Sequence, residues 1–225
     1  MCASKLLIAL QIVSRLLQPF GRYLKWGLLT LSMSVGAMIL APFGYYFAAD
    51  LEYGFLRDKR EFFFSSGYCF AFYAHIIAAP IAFISGTLQV SHTLRQHWPR
   101  LHRWLGRLYC ISILVAASPG GLVMGFWAYG GLSSQLCFSL LAGLTWIATF
   151  LGWRFGRRGN PQCHAKWMMR SYVLLASAIC LRMLHPILSG FELSHELTYQ
   201  LSVWMSWLLP LSVLEMGNLR RYRAG

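Results

Sequence analysis

Acidic residues are scarce in this sequence, and charged residues of both signs make up little of it. Asp and Glu together number 7 among 225 residues, and all charged residues amount to 12% of the chain. Soluble domains carry about 25% charged residues, so this composition indicates a chain with largely apolar surroundings. Few carboxylates disfavour a carboxylate-rich metal site. A hydrophobic content of 57% leaves little sequence for a separate soluble domain.

Several motifs of known chemistry are also missing. The sequence contains no H-E-x-x-H, no P-loop and no Ser–His–Asp ordering, so hydrolytic chemistry has no support in it. Its 6 cysteines are scattered. They form neither C-x-x-C nor C-x-x-C-H, which excludes a zinc knuckle and a covalent c-type haem. We interpret them as small apolar packing residues.

Long apolar segments are what the sequence has instead. A segment of about 20 apolar residues crosses a bilayer core of about 30 Å. Six such segments occur, at residues 26–49, 67–90, 105–129, 132–153, 167–189 and 199–216. They predict an all-α fold, a polytopic integral membrane helical bundle with six transmembrane helices over residues 25–217. We expect an amphipathic interfacial helix at residues 1–24 and a basic tail at residues 218–225.

The net charge of +13 is distributed unevenly along the chain. Most of the 20 Lys and Arg residues precede the first span, follow the second or fourth, or lie in the tail. This bias predicts that both the N and C termini are cytoplasmic. It also explains the positive charge without nucleic acid, and favours anionic membrane lipids at the cytoplasmic face as partners. On the opposite side, residues 50–66 are expected to form a partly ordered cap.

The predicted topology assigns a depth to four histidines. His102 and His164 stand at the cytoplasmic entrances of the third and fifth spans, and form an inner layer. His75 in the second span and His185 near the outer end of the fifth form an outer layer. His164 and His185 are 21 positions apart, about 31 Å along a straight helix, so they cannot bind the same metal. Each is therefore expected to pair across helices, His102 with His164 and His75 with His185.

Two layers of paired imidazoles are the ligand set of bis-histidine b-type haems. We expect Arg103 and Arg107 on the inner side, and Arg182 on the outer side, to pair with the anionic haem propionates. The chain is then an electron-transfer protein resembling a reductase subunit. It would need an electron donor, either a quinol from the membrane quinone pool or a partner redox protein. No catalytic residue is assigned.

Each of these residues also has a structural interpretation. A histidine at a helix entrance can bond a lipid phosphate or a helix end, and His75 within a span can be a buried hydrogen-bonding residue. His185 precedes Pro186 and can simply terminate its helix. The alternative function is a non-catalytic accessory or structural subunit of a larger membrane complex, binding lipid or partner helices without haem. A transporter or lipid-binding protein ranks below both, because no inverted repeat is present.

Several pieces of the sequence resemble a known family. These are His75 followed by "GTLQV" (86–90), then "RLHRWLGRLY" (100–109), "HAKWMMRSYVLLASAICLR" (164–182) and "WLLPLSVLEM" (207–216). Over about residues 65–217 the chain resembles the bacterial membrane proteins grouped as domain of unknown function 2306 (DUF2306). The resemblance implies a multi-pass protein of the bacterial inner membrane. A more distant analogy connects such helices and histidines to the two-haem membrane cytochromes b. His185 stands where this resemblance implies an apolar residue, so the inner pair has the stronger support.

Overall fold

The computed structural model of the protein describes residues 37, 41, 43–48, 51–52, 54–61, 63–64 and 67–223. The chain divides into two units, Met1–Tyr53 and Gly54–Gly225. The described residues of the first unit include one short helix, α1 (Phe43–Phe47). The predicted interfacial helix at residues 1–24 and most of the predicted first span, 26–49, lie outside the described residues.

The second unit is helical over nearly all of its described length. Its helices are α2 (Gly54–Arg57), α3 (Tyr68–Gln89), α4 (His92–His97), α5 (Pro99–Ile111), α6 (Ser118–Gly125), α7 (Gly131–Arg157), α8 (Pro161–Leu175), α9 (Ser177–Leu188) and α10 (His195–Arg223). A π-helical segment, Ser112–Ala117, joins α5 to α6. No strand occurs in the described part of the chain, which confirms the all-α prediction there.

Four continuous helices are long and apolar enough to cross a membrane: Tyr68–Gln89, Pro99–Gly125, Gly131–Arg157 and His195–Leu219. The pair Pro161–Leu175 and Ser177–Leu188, bent by 41°, makes a fifth candidate if it is one span. These five coincide with the second to sixth predicted segments. By length and composition, the protein is therefore a polytopic helical membrane protein.

Three details differ from the sequence-based prediction. Residues 91–104, which lie between the second and third predicted spans, are mostly helical, because Ser91 caps α4 by accepting a bond from the Leu94 N–H and Pro99 begins α5. The fifth span is not straight but breaks at Ala176. The separation of about 31 Å calculated for a straight helix between His164 and His185 is therefore an upper value. The predicted C-terminal tail continues α10 as far as Arg223.

Neighbouring helices in the sequence are mostly neighbours in space. α3 lies against the span formed by α5, the π-helical segment and α6, while α7 packs against both α6 and α8. α10 packs against α9, α7 and α8. One buried apolar cluster joins α3 to the α5–α6 span and contains Ala82, Tyr109, Cys110 and Ile113. A second joins α7, α8 and α10 and contains Cys137, Ala148, Leu174, Val203 and Trp207.

Small and hydroxyl-bearing residues occupy the helix contacts. Between membrane helices, lipid removes most of the hydrophobic driving force, so close packing and hydrogen bonds favour Gly, Ser and Thr at interfaces. The buried hydroxyls of Thr149 and Ser202 each donate to the carbonyl one turn back, at 2.7 Å. Thr149 and Ser202 thus pack as small residues whose hydroxyls are satisfied within their own helices.

The cap predicted at residues 50–66 is ordered where it is described in the second unit. Leu56 and Phe63 are fully buried, and Lys59 is nearly so. The Lys59 ammonium donates to the carbonyl of Trp127, which follows α6, so the segment is attached to that end of the bundle. Burial lowers the pKa of Lys59, and the nearby Asp58 carboxylate partly opposes the shift.

The contact of α3 with α6 depends on Gly120. A Cβ atom there would lie 2.5 Å from the Ala71 carbonyl oxygen and 3.1 Å from the His75 Cβ, so one helix would have to move. We expect Gly120→Ala to lower the free energy of unfolding by about 1–3 kcal/mol. The matched control is Gly143→Ala, because a Cβ at Gly143 meets nothing within 4 Å.

The measurement is thermal unfolding of both variants in one detergent. Gly143→Ala should leave stability unchanged or raise it by up to about 1 kcal/mol, since alanine favours a helix over glycine. Equal stabilities for the two variants would contradict the close contact at Gly120.

Candidate functional site

His102 and His164, the predicted inner pair, occupy equivalent positions in two helices. Each stands three residues after a proline that begins its helix, Pro99 in α5 and Pro161 in α8. Proline is favoured at a helix start because its φ suits the helix and its missing N–H needs no partner there. Each histidine N–H closes the first turn by donating to the carbonyl four residues back, at 3.0 Å in both helices. The repeated P-x-x-H spacing is the local sequence signal for this arrangement.

His164 lies within electrostatic range of the His102 imidazole. The guanidinium groups of Arg95 and Arg103 are also within electrostatic range of His102. The predicted inner pair therefore lies in one region of the bundle, in surroundings rich in positive charge. An anionic group placed there would be stabilised.

The orientation of His164 is fixed by α7. Its Nδ1 lies 2.8 Å from the carbonyl oxygen of Gly152. The ring lies against Gly156, where an added Cβ would be 2.8 Å from Nδ1 and 3.2 Å from Cε1. A carbonyl only accepts, so this contact places the proton on Nδ1 and leaves the lone pair on Nε2. Metal-binding histidines are commonly oriented by this kind of hydrogen bond.

His102 is held differently. The side-chain amide of Gln89 donates to the His102 carbonyl oxygen at 2.6 Å, which fixes the backbone against α3. The imidazole Nδ1 is buried and has no hydrogen-bond partner in the described part of the chain. An unpaired buried polar atom costs about 1–3 kcal/mol, so it needs an explanation.

The two predicted inner arginines have different surroundings. Arg103 is exposed and within electrostatic range of His102. Arg107, one turn further along α5, places its guanidinium 5.2 Å from the centre of the Trp104 ring. Of these two predicted arginines, Arg103 is the one with an electrostatic interaction with His102.

A buried set of hydroxyls crosses the bundle between α5, α7 and α8. The Tyr109 hydroxyl lies 2.7 Å from the Ser171 Oγ, which lies 2.6 Å from the Thr149 Oγ1. All three side chains are almost completely buried. Tyr109 also packs over Gly86, where an added Cβ would lie 2.6 Å from the ring. Sequence reasoning did not identify these residues, because nothing local pairs a tyrosine with a serine 62 positions away.

The family-like stretch H-x-x-W-M-x-R-S makes contacts with three different helices. His164 and Met168 lie against Gly156 and Gly152 of α7, and Ser171 reaches Tyr109 of α5. Arg170, the arginine of the stretch, contacts α10. Such a stretch constrains several helices at once, which gives it a packing role in addition to any chemistry.

Arg170 of this stretch forms a bidentate ion pair with Glu215. Its Nε lies 2.5 Å from Oε1 and its Nη2 lies 2.8 Å from Oε2. The guanidinium also stacks 4.6 Å from the centre of the Trp167 ring. Glu215 was missed by sequence reasoning, although an acidic residue in an apolar span is itself a signal for a partner. The pair joins α8 to α10.

His75 of the predicted outer pair lies on α3 and is partly buried against the α5–α6 span. Its Nδ1 lies 2.7 Å from the carbonyl oxygen of Ala117, at the end of the π-helical segment. Gly121 lies against the ring, since an added Cβ would be 3.0 Å from Nδ1. π-Helical turns are often found at functional sites. As in His164, the carbonyl contact orients the ring and leaves the lone pair on Nε2.

His185 and Arg182 are attached to other groups. The His185 Nδ1 lies 3.3 Å from the Ser202 Oγ, and its ring packs edge-on against Tyr199 of α10. The Arg182 Nη1 donates to the Ala178 carbonyl at 3.0 Å. No hydrogen bond or ring contact joins His75 to His185 among the described residues. The outer pair stays a prediction.

These features define a class of protein: a helical membrane protein whose spans are joined by buried polar contacts, with two histidines at one end. The chain belongs to the DUF2306 family of predicted membrane proteins, whose model matches residues 72–216. That range includes all four predicted histidines, the hydroxyl set and the Arg170–Glu215 pair. No curated protein and no solved structure matches the chain.

The ion pair between Arg170 and Glu215 should contribute measurably to stability. We expect Arg170→Ala and Glu215→Ala each to lower the free energy of unfolding by about 2 kcal/mol, because each leaves one charge without its partner. The double variant should cost clearly less than the sum of the two single variants. Chemical unfolding in detergent measures the coupling.

The coupling energy expected for this bidentate pair is about 1 kcal/mol or more. Strictly additive losses would mean that the two side chains do not interact in the folded protein. Arg158→Ala is a control variant, because Arg158 is exposed and directly follows α7 as its C-cap residue.

Proposed function

We propose that the protein is a membrane b-type haem protein that transfers electrons, in which His102 and His164 would hold an inner haem. The observation that carries the proposal is the orientation of His164. Its Nδ1 is bonded to the Gly152 carbonyl, so Nε2 presents a lone pair, while His102 lies within electrostatic range on another helix. Neutral imidazoles from facing helices are the ligand set of b-type haems.

The His102 Nδ1 is buried and has no hydrogen-bond partner in the described part of the chain, so no hydrogen bond there fixes the tautomer of this ring. One further feature of the site suits a haem. Arg95 and Arg103 near His102 are suited to the anionic propionates. Arg107 was also predicted for this role, but it lies one turn further from the pair.

When bound, haem would supply one-electron redox chemistry, and the protein residues would supply binding and orientation. His164 and His102 would hold the iron, the Gly152 carbonyl would keep the His164 ring in place, and the arginines would neutralise the propionates. The sequence contains no nucleotide or flavin motif. An electron donor is therefore part of the proposal, either a quinol, which would be oxidised to the quinone, or a partner redox protein.

The proposal is restricted to the inner pair. His75 is oriented by a carbonyl much as His164 is, but His185 bonds to Ser202 and packs on Tyr199. A second haem between His75 and His185, with Arg182 near it, has no comparable support in the contacts. A single haem is the version of the proposal that we put forward.

Absorbance of the purified full-length protein tests the proposal. We expect a Soret band and, after reduction with dithionite, sharp α and β bands. His102→Ala and His164→Ala should each abolish the six-coordinate spectrum, because each removes one axial ligand. His92→Ala is the matched control, since His92 is exposed on α4, and its spectrum should be unchanged.

Gly156→Ala provides a more subtle test in the same experiment. The added Cβ would lie 2.8 Å from the His164 Nδ1, so the ring would have to shift. Haem content should fall at least severalfold, whereas Gly143→Ala, in the same helix, should have no effect. A colourless but folded wild-type protein, with no haem by pyridine extraction, would overturn the proposal and favour the accessory-subunit alternative.

We also propose that the protein has six spans in the bacterial inner membrane, with both termini in the cytoplasm. The distribution of Lys and Arg supports this orientation. Green fluorescent protein fused after Gly225 should fluoresce, while alkaline phosphatase fused there should be inactive. Phosphatase inserted between α9 and α10, at residues 189–194, should be active. The reverse pattern would contradict the orientation.

A further inference from the structure

A groove opens on the surface of the protein between the α5–α6 span and α7. Its volume is about 450 Å³. Apolar and aromatic side chains form both of its walls: Ile111, Leu114 and Val115 on one side and Trp146, Phe150 and Trp153 on the other. Arg107 is the single charged side chain among the described residues that line it. Val115 is 72% exposed, so the groove is accessible from outside the bundle.

The position of Arg107 along the groove follows from one hydrogen bond. The Trp146 indole N–H donates to the Leu114 carbonyl at 3.1 Å, so these two residues lie at the same height along the helix axes, here called the Leu114 level. The helices run in opposite directions, and Arg107 and Trp153 each lie seven residues away from that level toward the same end. Arg107 is therefore about 10 Å from the Leu114 level, at the end of the groove.

The hydrogen bond itself has a cause in the sequence. In the π-helical segment the Ser118 N–H donates to the Ile113 carbonyl, five residues back. In the same register the nitrogen of Pro119 would face the Leu114 carbonyl, but proline has no N–H to donate. The indole of Trp146 supplies the missing donor. Pro119 and the π-helical segment thus fix this end of the groove.

The aromatic wall is regular. The Trp146 and Phe150 rings stack with centroids 5.3 Å apart, and the Trp153 ring follows 5.9 Å beyond Phe150. The Arg157 guanidinium lies 5.1 Å from the centre of the Trp153 ring and adds a second positive charge at the Arg107 end. The groove is therefore cationic at one end and apolar along the rest.

We propose that this groove binds one anionic phospholipid, with the phosphate at Arg107 and one acyl chain along Val115, Trp146 and Phe150. The cationic end and the apolar length of the groove match an amphiphile that has one negatively charged headgroup. A quinone fits less well, because its two opposed carbonyls need donors at both ends of the ring. The indole N–H at the far end is already bonded to Leu114. The inference does not depend on haem binding.

Native mass spectrometry of the full-length protein in mild detergent tests the inference. Added phosphatidylglycerol should be retained as one molecule per protein, more strongly than phosphatidylcholine. Arg107→Gln should weaken retention about fivefold, the effect of one basic residue on an anionic lipid. Arg100→Gln is the matched control, because Arg100 also lies on α5 and is exposed but does not line this groove.

A second pair of variants tests the apolar part without changing any charge. Val115→Trp should fill the groove and weaken retention at least severalfold. Leu108→Trp, at an exposed position on α5 outside the lining, should leave retention unchanged. Thermal unfolding of each variant identifies any that are misfolded.

Three outcomes would overturn the inference. Equal losses in Arg107→Gln and Arg100→Gln would indicate diffuse attraction to the basic surface. Equal retention of phosphatidylcholine would show that the charge plays no part. Displacement of bound lipid by an isoprenoid quinone, with the same dependence on Val115, would assign the groove to a quinone instead.

Discussion

The close approach of α7 and α8 is the contact on which the candidate site depends. Gly152 and Gly156 are the small residues that permit it, since each would meet a side chain of α8 if it carried a Cβ. The approach places the Gly152 carbonyl 2.8 Å from the His164 Nδ1 and so determines which ring nitrogen carries the proton. The same approach sets Ser171 beside Thr149. Electron transfer through His164, as proposed, requires this helix pair to stay in register.

In the described part of the chain, most buried polar side chains hydrogen-bond either within their own helix or to a neighbouring helix. Within the bilayer an unpaired polar group is costly, so such contacts both stabilise the bundle and determine which helices meet. The Arg170–Glu215 pair and the Tyr109–Ser171–Thr149 set show this at the interfaces of α8 with α10, α5 and α7. The His102 Nδ1 and the hydroxyls of Ser134 and Ser139 are exceptions, because each is buried without a hydrogen-bond partner in the described part of the chain.

The apolar runs were enough to predict the helical class and the positions of five candidate spans. Their boundaries were less predictable, because Pro99 and the Ser91 cap extend the helical structure into a segment rich in charge. The helix break at Ala176 could not be predicted, because no proline or glycine occurs at that point in the sequence. The depth in the membrane that the predicted topology assigns to each histidine was enough to place His102 and His164 in one layer. The partners of Arg170 and Tyr109 could not be predicted, since pairing across helices depends on which faces meet and not on local spacing.

If His102 and His164 jointly hold one haem iron, electron paramagnetic resonance of the oxidised, purified protein should show a single low-spin ferric species with two imidazole ligands. In His102→Ala and in His164→Ala that species should be replaced by a high-spin signal or be lost. A wild-type protein without a ferric haem signal, or a low-spin signal that survives both substitutions, would contradict the account.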